Sequence, residues 1–350
     1  MMRRVLRAFR QWVEIIDRGA GRFALATRFS TALYYLLLNP RFFREQRAVL
    51  AGRARFARAG RTTNDPTLRR NIHRLEKGLL MQPRAAVFAT DYIGETVEVY
   101  CRLSRLETAD AEEIRWAEDV LEKYFAVVGD ADSVKLARGR FAMAQEAKQK
   151  SKALHRIPRP HAQIERTDIA YDDFLRLCRQ RRSVRWFRDQ PVPRDLIDRA
   201  ITAAAEAPSA CNRQPFFFRW FGTRAEASRI AGIALGTAGY AEQIPSLIVI
   251  LADLSCFPHE RDRHVPYIDG SLAAMQLMLA LETLGLGSCP INWPDIESLE
   301  RRMDEALQLP PHIRPIMLLA IGHPDPQGGV AYSAKKSFGG LLLDRNDYPH

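Results

Sequence analysis

The sequence RRSVRWF, residues 181–187, places three arginines and a serine before two large aromatic rings. It follows a predicted helix at about residues 171–181, where cations complement the negative end of the helix dipole. The same side chains could instead bind a phosphate monoester, because the arginines are permanently charged planar donors and Ser183 adds a hydroxyl. The segment alone does not decide between a helix end and an anion-binding site.

The formal net charge of +11 is confined to the beginning of the chain. Residues 1–61 contain 14 arginines, no lysine and three acidic residues, so the rest of the chain is electrically balanced. Because the basic excess is restricted to one segment, it is weak support for a nucleic-acid-binding function. We expect no nucleic-acid partner.

The same basic segment carries apolar residues at helical spacing. We expect these helices to pack on the rest of the protein. The alternative is a peripheral membrane or protein-binding surface formed by residues 1–61. The apolar positions are Val5, Phe9, Val13, Ile16, Phe29, Leu33, Leu36 and Leu37.

Five scattered cysteines without a Cys-x-x-Cys pair predict a cytoplasmic protein with neither a zinc site nor a redox dithiol. Arginines interrupt any signal-peptide core, and the charge-free run at 29–40 is too short to span a membrane, although it could lie on one. His259 and His264 do not have the spacing at which one helix directs two histidines to a metal, so we predict no metal site.

The texture of the sequence changes at IPRPH, residues 157–161, where two prolines interrupt the helical pattern. We therefore predict an all-helical, basic N-terminal region at residues 1–160 and an α+β domain at residues 161–350. In the first region a helix is predicted at 69–84, with Leu68, Ile72, Leu75 and Leu79 on one face. In the second, strands are predicted at 216–221, 246–253 and 315–322, and a long helix at 269–284.

The usual glycine-rich phosphate cradles and the serine nucleophile elbow are not found in the sequence. Any phosphate must therefore be held by side chains, and we predict no catalytic residue. A second stretch, PSACNRQPF at 208–216, ends a helix at Pro208 and offers small hydrogen-bonding groups before an aromatic strand.

Together, R-R-S-x-R-x-[FY] and P-S-x-x-N-x-Q-P-[FW] resemble the nitroreductase family of FMN-dependent oxidoreductases. The resemblance extends over about residues 171–342 and includes DGSLAAMQLMLALETLGLGSC (269–289) and PIMLLAIGHP (315–324). It implies a nitroreductase-like FMN-binding fold, in which a central, mainly antiparallel sheet is covered by helices. It also implies a homodimer with FMN at the subunit interface.

The resemblance assigns roles to particular residues. Trp186 and Phe187 are expected to anchor the arginine segment in the core. Near the flavin N5, the segment Pro290, Ile291 and Asn292 would present backbone, and Ile291 N–H is the expected donor because proline has none. The FMN phosphate and ribityl chain would be bound by Arg181, Arg182, Ser183 and Arg185, with Lys335 or Lys336 from the tail. From the other subunit, Pro208, Ser209, Ala210, Asn212 and Gln214 would reach the flavin.

The resemblance further implies that NADH or NADPH delivers hydride to flavin N5 and that a small acceptor is then reduced, in a ping-pong sequence. The acceptor is not identified, although the His- and Arg-rich loop at residues 256–268 suggests an anionic or polar one. The alternative function is a non-catalytic flavin-binding or scaffold protein whose basic N-terminal helices dock on a membrane surface or a partner.

Overall fold

The computed structural model describes residues 20, 23–58, 65–146, 156–336 and 341–342 of the chain. The predicted apolar positions Val5, Phe9, Val13 and Ile16 lie outside these residues. No helix in the described part is long and apolar enough to cross a membrane. The N-terminal helices are α1 (Arg28–Leu37), α2 (Phe43–Ala57), α3 (Pro66–Leu80), α4 (Ile93–Leu103), α5 (Ala111–Val127) and α6 (Asp132–Glu146).

The C-terminal half combines helices with a four-stranded sheet of order β1-β2-β4-β3, in which all neighbouring strands are antiparallel. The predicted α+β class, with an antiparallel sheet covered by helices and preceded by a helical region, is confirmed. The elements are α7 (Tyr171–Gln180), α8 (Arg194–Ala205), β1 (Phe216–Phe221), α9 (Arg224–Ala231), β2 (Ser246–Asp253), α10 (Val265–Thr283), β3 (Gly287–Asn292), α11 (Glu297–Leu307) and β4 (Ile313–Gly322).

Helices cover both faces of this sheet. Successive side chains of a strand point to opposite faces, so Leu247 and Val249 of β2 join a core with α9 and α11. Ile248 and Ile250 join a second core with α8 and α10. Every residue of β2 is buried as a result, which is why this strand is a continuous apolar run in the sequence.

Helices α3 to α6 enclose a core of their own. The predicted apolar face of α3 is confirmed, because Leu68, Ile72 and Leu75 are fully buried, where they pack with Tyr100 and Tyr124. These aromatic side chains carry their hydroxyls to polar partners: Tyr124 donates to the carbonyl of Phe88 at 2.7 Å. The N-terminal half therefore has a core separate from the sheet.

Helix α2 lies against the turn that follows β2. Ala48 and Val49 pack on Leu254, and a Cβ at Gly52 would approach the Leu254 carbonyl oxygen to 2.8 Å. Arg44 of the same helix binds both carboxylate oxygens of Glu297, at 2.7 and 2.8 Å. Apolar contact, close backbone approach and an ion pair thus attach α2 to the sheet domain.

The structure differs from the sequence-based expectations at three elements. Strand β3 was not predicted, because its glycine and Pro290 lower the strand signal. Helix α10 begins at Val265 instead of Asp269, since Pro266 is accommodated in its first turn. Helix α1 buries none of its residues, so the expectation that it packs on the rest of the protein is wrong for Phe29, Leu33, Leu36 and Leu37.

Candidate functional site

The arginine segment at residues 181–187 lies along the outer edge of β3. Val184 N–H donates to the Ser288 carbonyl at 3.0 Å, and Ser183 forms a parallel bridge with Ser288. Phe187 is buried and bridges to Pro324, as expected of an anchor. Trp186 is instead 40% exposed, so only one of the two rings is a core residue.

The guanidinium groups of this segment lack carboxylate partners within the described part of the chain. Arg181 and Arg182 are half-buried, and Arg185 is exposed. The partners found for these side chains are neutral: Arg185 Nη1 donates to the Ser183 carbonyl at 3.5 Å, and Arg185 also interacts with the Tyr240 hydroxyl. Three positive charges within five residues therefore remain uncompensated beside the Ser183 hydroxyl, an arrangement that favours an anion.

The Tyr240 hydroxyl is close enough to Arg185 to interact with its guanidinium. The same hydroxyl is 4.0 Å from Cys289 Sγ. Burial, and then the neighbouring Cys289 thiol, raises the pKa of Tyr240 to about 12, while Arg185 acts in the opposite direction. Tyr240 therefore stays a neutral phenol at physiological pH and leaves the charge of Arg185 uncompensated.

The alternation of β3 decides which of its amides face the open edge. The Ser288 carbonyl points outward to Val184, and residues two apart in a strand share the same orientation. Pro290 and Asn292 therefore face outward, whereas Ile291 pairs with Leu318 of β4 and is 3% exposed. The expected donor Ile291 is thus directed into the sheet, and Asn292 N–H is the outward-facing donor of this segment.

The second motif, residues 208–216, forms a tight loop between α8 and β1. Ala210 N–H donates to Asp269 Oδ2 at 3.0 Å, and Gln214 N–H donates to Ser209 Oγ at 3.0 Å. Three non-glycine residues have left-handed backbone: Cys211 (φ 53°), Asn212 (φ 51°) and Gln214 (φ 48°). Such conformations persist only where surrounding contacts enforce them, and they concentrate at functional sites.

An arginine from the N-terminal half holds this loop from outside. Arg69 of α3 donates from Nε to the Asn212 carbonyl at 2.8 Å and from Nη1 to Glu113 Oε2 at 3.1 Å. Its guanidinium also lies 5.4 Å from the centroid of the Trp116 ring. Burial raises the pKa of Glu113, and Arg69 opposes that rise.

The two motifs lie at opposite corners of the sheet. The arginine segment adjoins the start of β3, and the loop precedes β1, the other edge strand. The register places Ser288 beside Ile321 and Ser246, whereas Phe216 pairs with Ala252 at the far end of β2. Three strand spacings and a rise of six residues put the corners roughly 25 Å apart. One chain does not bring the two motifs together.

The remaining predicted positions are less well placed. Lys335 and Lys336 are exposed, and neither makes a hydrogen bond or ion pair with a described residue. In the loop at 256–268, Glu260 pairs with Arg53 of α2, and Arg263 Nε is 3.7 Å from Glu45 Oε1. Helix α2 thus covers the loop that was expected to face an acceptor.

Sequence reasoning missed Arg69 and Asp269. Arg69 belongs to another part of the chain, and its pattern on α3 is that of an ordinary solvated residue. Asp269 had a signal, because it is a carboxylate in a mainly apolar helix whose other acidic residue, Glu282, lies at the far end. It is buried, and burial raises its pKa above the ordinary value of 3.8.

Comparison with known proteins gives a family model, curated relatives and solved structures that match part of this chain. The model of the nitroreductase family matches residues 178–243 and 232–323. An NADH dehydrogenase of Thermus thermophilus is 31% identical over 180 residues, which are 43% of this chain and 85% of that protein. An FMN reductase (NADPH) of Bacillus subtilis is 30% identical over 158 residues, 41% of this chain and 62% of that protein. The solved structure of an FMN-dependent nitroreductase from Clostridium difficile aligns at 22% identity and a TM-score of 0.42, over 49% of this chain and 98% of that one.

Proposed function

Because the chain belongs to the nitroreductase family, we propose that it is an FMN-dependent oxidoreductase that uses NADH or NADPH. The observation that carries this proposal is the row of uncompensated guanidinium groups on the edge of β3. The Thermus and Bacillus relatives are named for reactions of NADH, NADPH and FMN, which supports the same assignment. When bound, FMN supplies hydride chemistry at N5.

The residues present fit this cofactor. Arg181, Arg182 and Arg185 with the Ser183 hydroxyl would bind the phosphate and ribityl chain through charge-assisted hydrogen bonds. Asn292 N–H, which faces the open edge of β3, would donate to the flavin N5 region. Lys335 or Lys336 would add a cation from the tail. Since the protein supplies position and charge, no acid or base from the chain is required.

We infer a homodimer from the separation of the two motifs. The loop with Pro208, Ser209, Ala210, Asn212 and Gln214 lies roughly 25 Å from the arginine segment of the same chain. A second copy related by two-fold symmetry can bring its loop to that segment. In such a site, NAD(P)H and a small acceptor would bind in turn on one face, which is the ping-pong order.

The double variant Arg181→Ala, Ser183→Ala tests the cofactor site. We expect the purified protein to be yellow, to be bleached by NADH or NADPH, and to lose FMN on gel filtration when both side chains are removed. Loss of two charge-assisted hydrogen bonds should weaken FMN binding by about a hundredfold or more. Arg302→Ala, an exposed position on α11, is the matched control. A double variant that keeps stoichiometric FMN contradicts the site, and flavin that neither nucleotide reduces favours a non-catalytic scaffold.

We also propose that α1 docks on an anionic membrane surface. Its apolar side chains recur at helical spacing and are exposed: Phe29 by 77%, Leu36 by 62% and Leu37 by 67%. The positive charge of the chain is concentrated in the same segment, at residues 1–61. An apolar helix face next to basic side chains is typical of interfacial helices.

Sedimentation with vesicles tests this docking. We expect binding to vesicles of mixed phosphatidylcholine and phosphatidylglycerol, weaker binding to phosphatidylcholine alone, and weakening by salt. Phe29→Ser with Leu36→Ser should abolish binding, and Leu136→Ser, an exposed apolar position on α6, should not. Equal binding by both variants, or none by the unchanged protein, contradicts the proposal and points to a protein partner.

A further inference from the structure

Two consecutive residues of α10 lie against the two ends of the left-handed loop, residues 208–216. At the beginning of the loop, Asp269 Oδ2 accepts a hydrogen bond from Ala210 N–H at 3.0 Å. At its end, a Cβ built on Gly270 would lie 3.5 Å from the Cβ of Phe216. Helix α10 is therefore the element of the sheet domain against which the conformation of this loop is set.

The backbone of the left-handed loop requires such support. Cys211, Asn212 and Gln214 have positive φ angles, which cost free energy for residues with a side chain and persist only where surrounding contacts enforce them. Inside the loop, Gln214 N–H donates to Ser209 Oγ. From the N-terminal half, Arg69 donates to the Asn212 carbonyl. The bond to Asp269 is the polar contact that ties the loop to α10.

Asp269 is a buried carboxyl group, 4% exposed. Burial raises its pKa, whereas the hydrogen bond from Ala210 and the positive charge of Arg213 act in the opposite direction and favour the ionised form. Among the described residues, Ala210 N–H is the hydrogen-bond donor found for this group. A buried carboxylate is costly without such a donor, and a charged acceptor makes the bond stronger than a neutral one does. The carboxylate and the loop thus stabilise each other.

We propose that Asp269 is a positioning residue for the flavin, which holds the left-handed loop through Ala210 N–H in the conformation that reaches the flavin ring bound by the second copy. This role rests on the proposed FMN function. The arginine segment binds the phosphate and the ribityl chain, whereas the loop acts on the ring. A change at Asp269 therefore weakens binding of the ring and leaves the contribution of the phosphate unchanged.

Titration of the full-length protein, freed of flavin, with FMN and with riboflavin tests this role, because riboflavin has the ring without the phosphate. Asp269→Ala should weaken binding of both about tenfold to a hundredfold, the range for loss of a hydrogen bond to a charged group. Arg181→Ala should weaken FMN binding and leave riboflavin binding nearly unchanged. The matched control is Asp198→Ala, which removes an exposed carboxylate paired with Arg194 on α8 and should change neither affinity.

Two further variants test whether the effect passes through Ala210. Asp269→Asn keeps an acceptor oxygen and should restore part of the affinity that Asp269→Ala loses. Ala210→Pro removes the N–H at a position where the backbone is helical and the preceding Ser209 is extended, so that proline fits. It should weaken binding of both flavins by a factor similar to that of Asp269→Ala. The two changes together should weaken binding no further than either one alone.

The outcomes separate this role from the function on which it rests. An unchanged protein that binds no FMN contradicts the proposed function. If the unchanged protein binds FMN, the role of Asp269 is overturned when Asp269→Ala leaves both affinities unchanged, weakens FMN binding alone, or adds fully to Ala210→Pro. Should Asp269→Ala fail to fold, Ala210→Pro decides the matter, because unchanged flavin binding in that variant also overturns the proposal.

Discussion

Arg69 connects two parts of the chain that are 143 positions apart. One end of its guanidinium pairs with buried Glu113, and the Nε atom holds the Asn212 carbonyl. The left-handed loop that is proposed to reach the flavin is thus positioned by the N-terminal half. A helix that precedes the residues matched by the family model thus supports the loop of the proposed site.

Arg69→Ala should lower the free energy of unfolding by about 3–5 kcal/mol, because Glu113 is left buried without a compensating charge. It should also weaken FMN binding, since the loop loses an external hydrogen bond. Urea denaturation and FMN titration measure the two effects. Arg176→Ala removes the exposed pair with Asp173 and should cost less than about 1 kcal/mol. Similar losses for both variants would contradict the role of Arg69.

At the scale of elements, α2 depends on close approach to the turn after β2. Gly52→Ala should destabilise the protein, although alanine favours helix, because its Cβ would lie 2.8 Å from the Leu254 carbonyl oxygen. Gly139→Ala in α6 meets nothing within 4 Å and should stabilise by up to about 1 kcal/mol. Denaturation curves and limited proteolysis between α2 and α3 compare the two. A stabilising Gly52→Ala would show that α2 is not docked.

The attachment of α2 also predicts a pH dependence. The hydrogen bonds from Arg44 hold the pKa of Glu297 below its ordinary value of 4.5. Their contribution to stability is therefore complete above pH 4.5 and is lost as pH falls through the lower pKa of the folded state. Arg44→Ala should cost about 2 kcal/mol or less at neutral pH, because it removes the pair with largely exposed Glu297 and a second pair with Asp304. Urea denaturation should show that the difference in free energy of unfolding between the unchanged protein and Arg44→Ala becomes smaller in acid. A difference that becomes larger in acid contradicts this account.

Elements with continuous apolar or aromatic runs could be predicted from the sequence. This group contains strands β1, β2 and β4 and the buried face of α3. A strand within the sheet core gives a continuous apolar run, and a helix with one buried face gives apolar residues at helical spacing. Strand β3 could not be predicted. Proline is tolerated in an edge strand, but the sequence does not show that β3 lies at the edge of the sheet. Periodicity located the apolar face of α1 but could not tell whether another element covers it.

For the site, local motifs identified the arginine segment and the loop, yet the contribution of α3 was invisible. Arg69 and Asn212 meet only through the packing of two cores, and no local pattern records such a contact. The choice between Ile291 and Asn292 likewise required the register of β3 against β4. The sequence therefore identified the two motifs, whereas the direction of the backbone N–H groups of β3 required the structure of the sheet.

At the scale of the whole molecule, a shared site between two copies predicts complementation. A chain with Arg181→Ala and Ser183→Ala fails at one side of the site, and a chain with Asn212→Gly fails at the other. Glycine deletes the Asn212 side chain without straining its left-handed backbone. If two copies build each site, refolding an equal mixture should restore about a quarter of the FMN sites, because each mixed dimer contains one intact pair.

The measurement is FMN bound per chain after refolding, compared with each variant refolded alone. Gel filtration provides the control that dimers re-form. Recovery no greater than the sum of the separate variants would show that each chain builds its own site.

Pro290 also protects the sheet from its own open edge. Unpaired edge strands recruit strands of other chains, which leads to aggregation. Pro290 faces the open edge of β3 and has no N–H. A strand of another chain that paired with this edge would therefore lack one hydrogen-bond donor. The arginine segment occupies the start of the same edge, and its charges repel a second copy of itself. Pro290 and the arginine segment therefore both disfavour pairing of this edge with a strand of another chain.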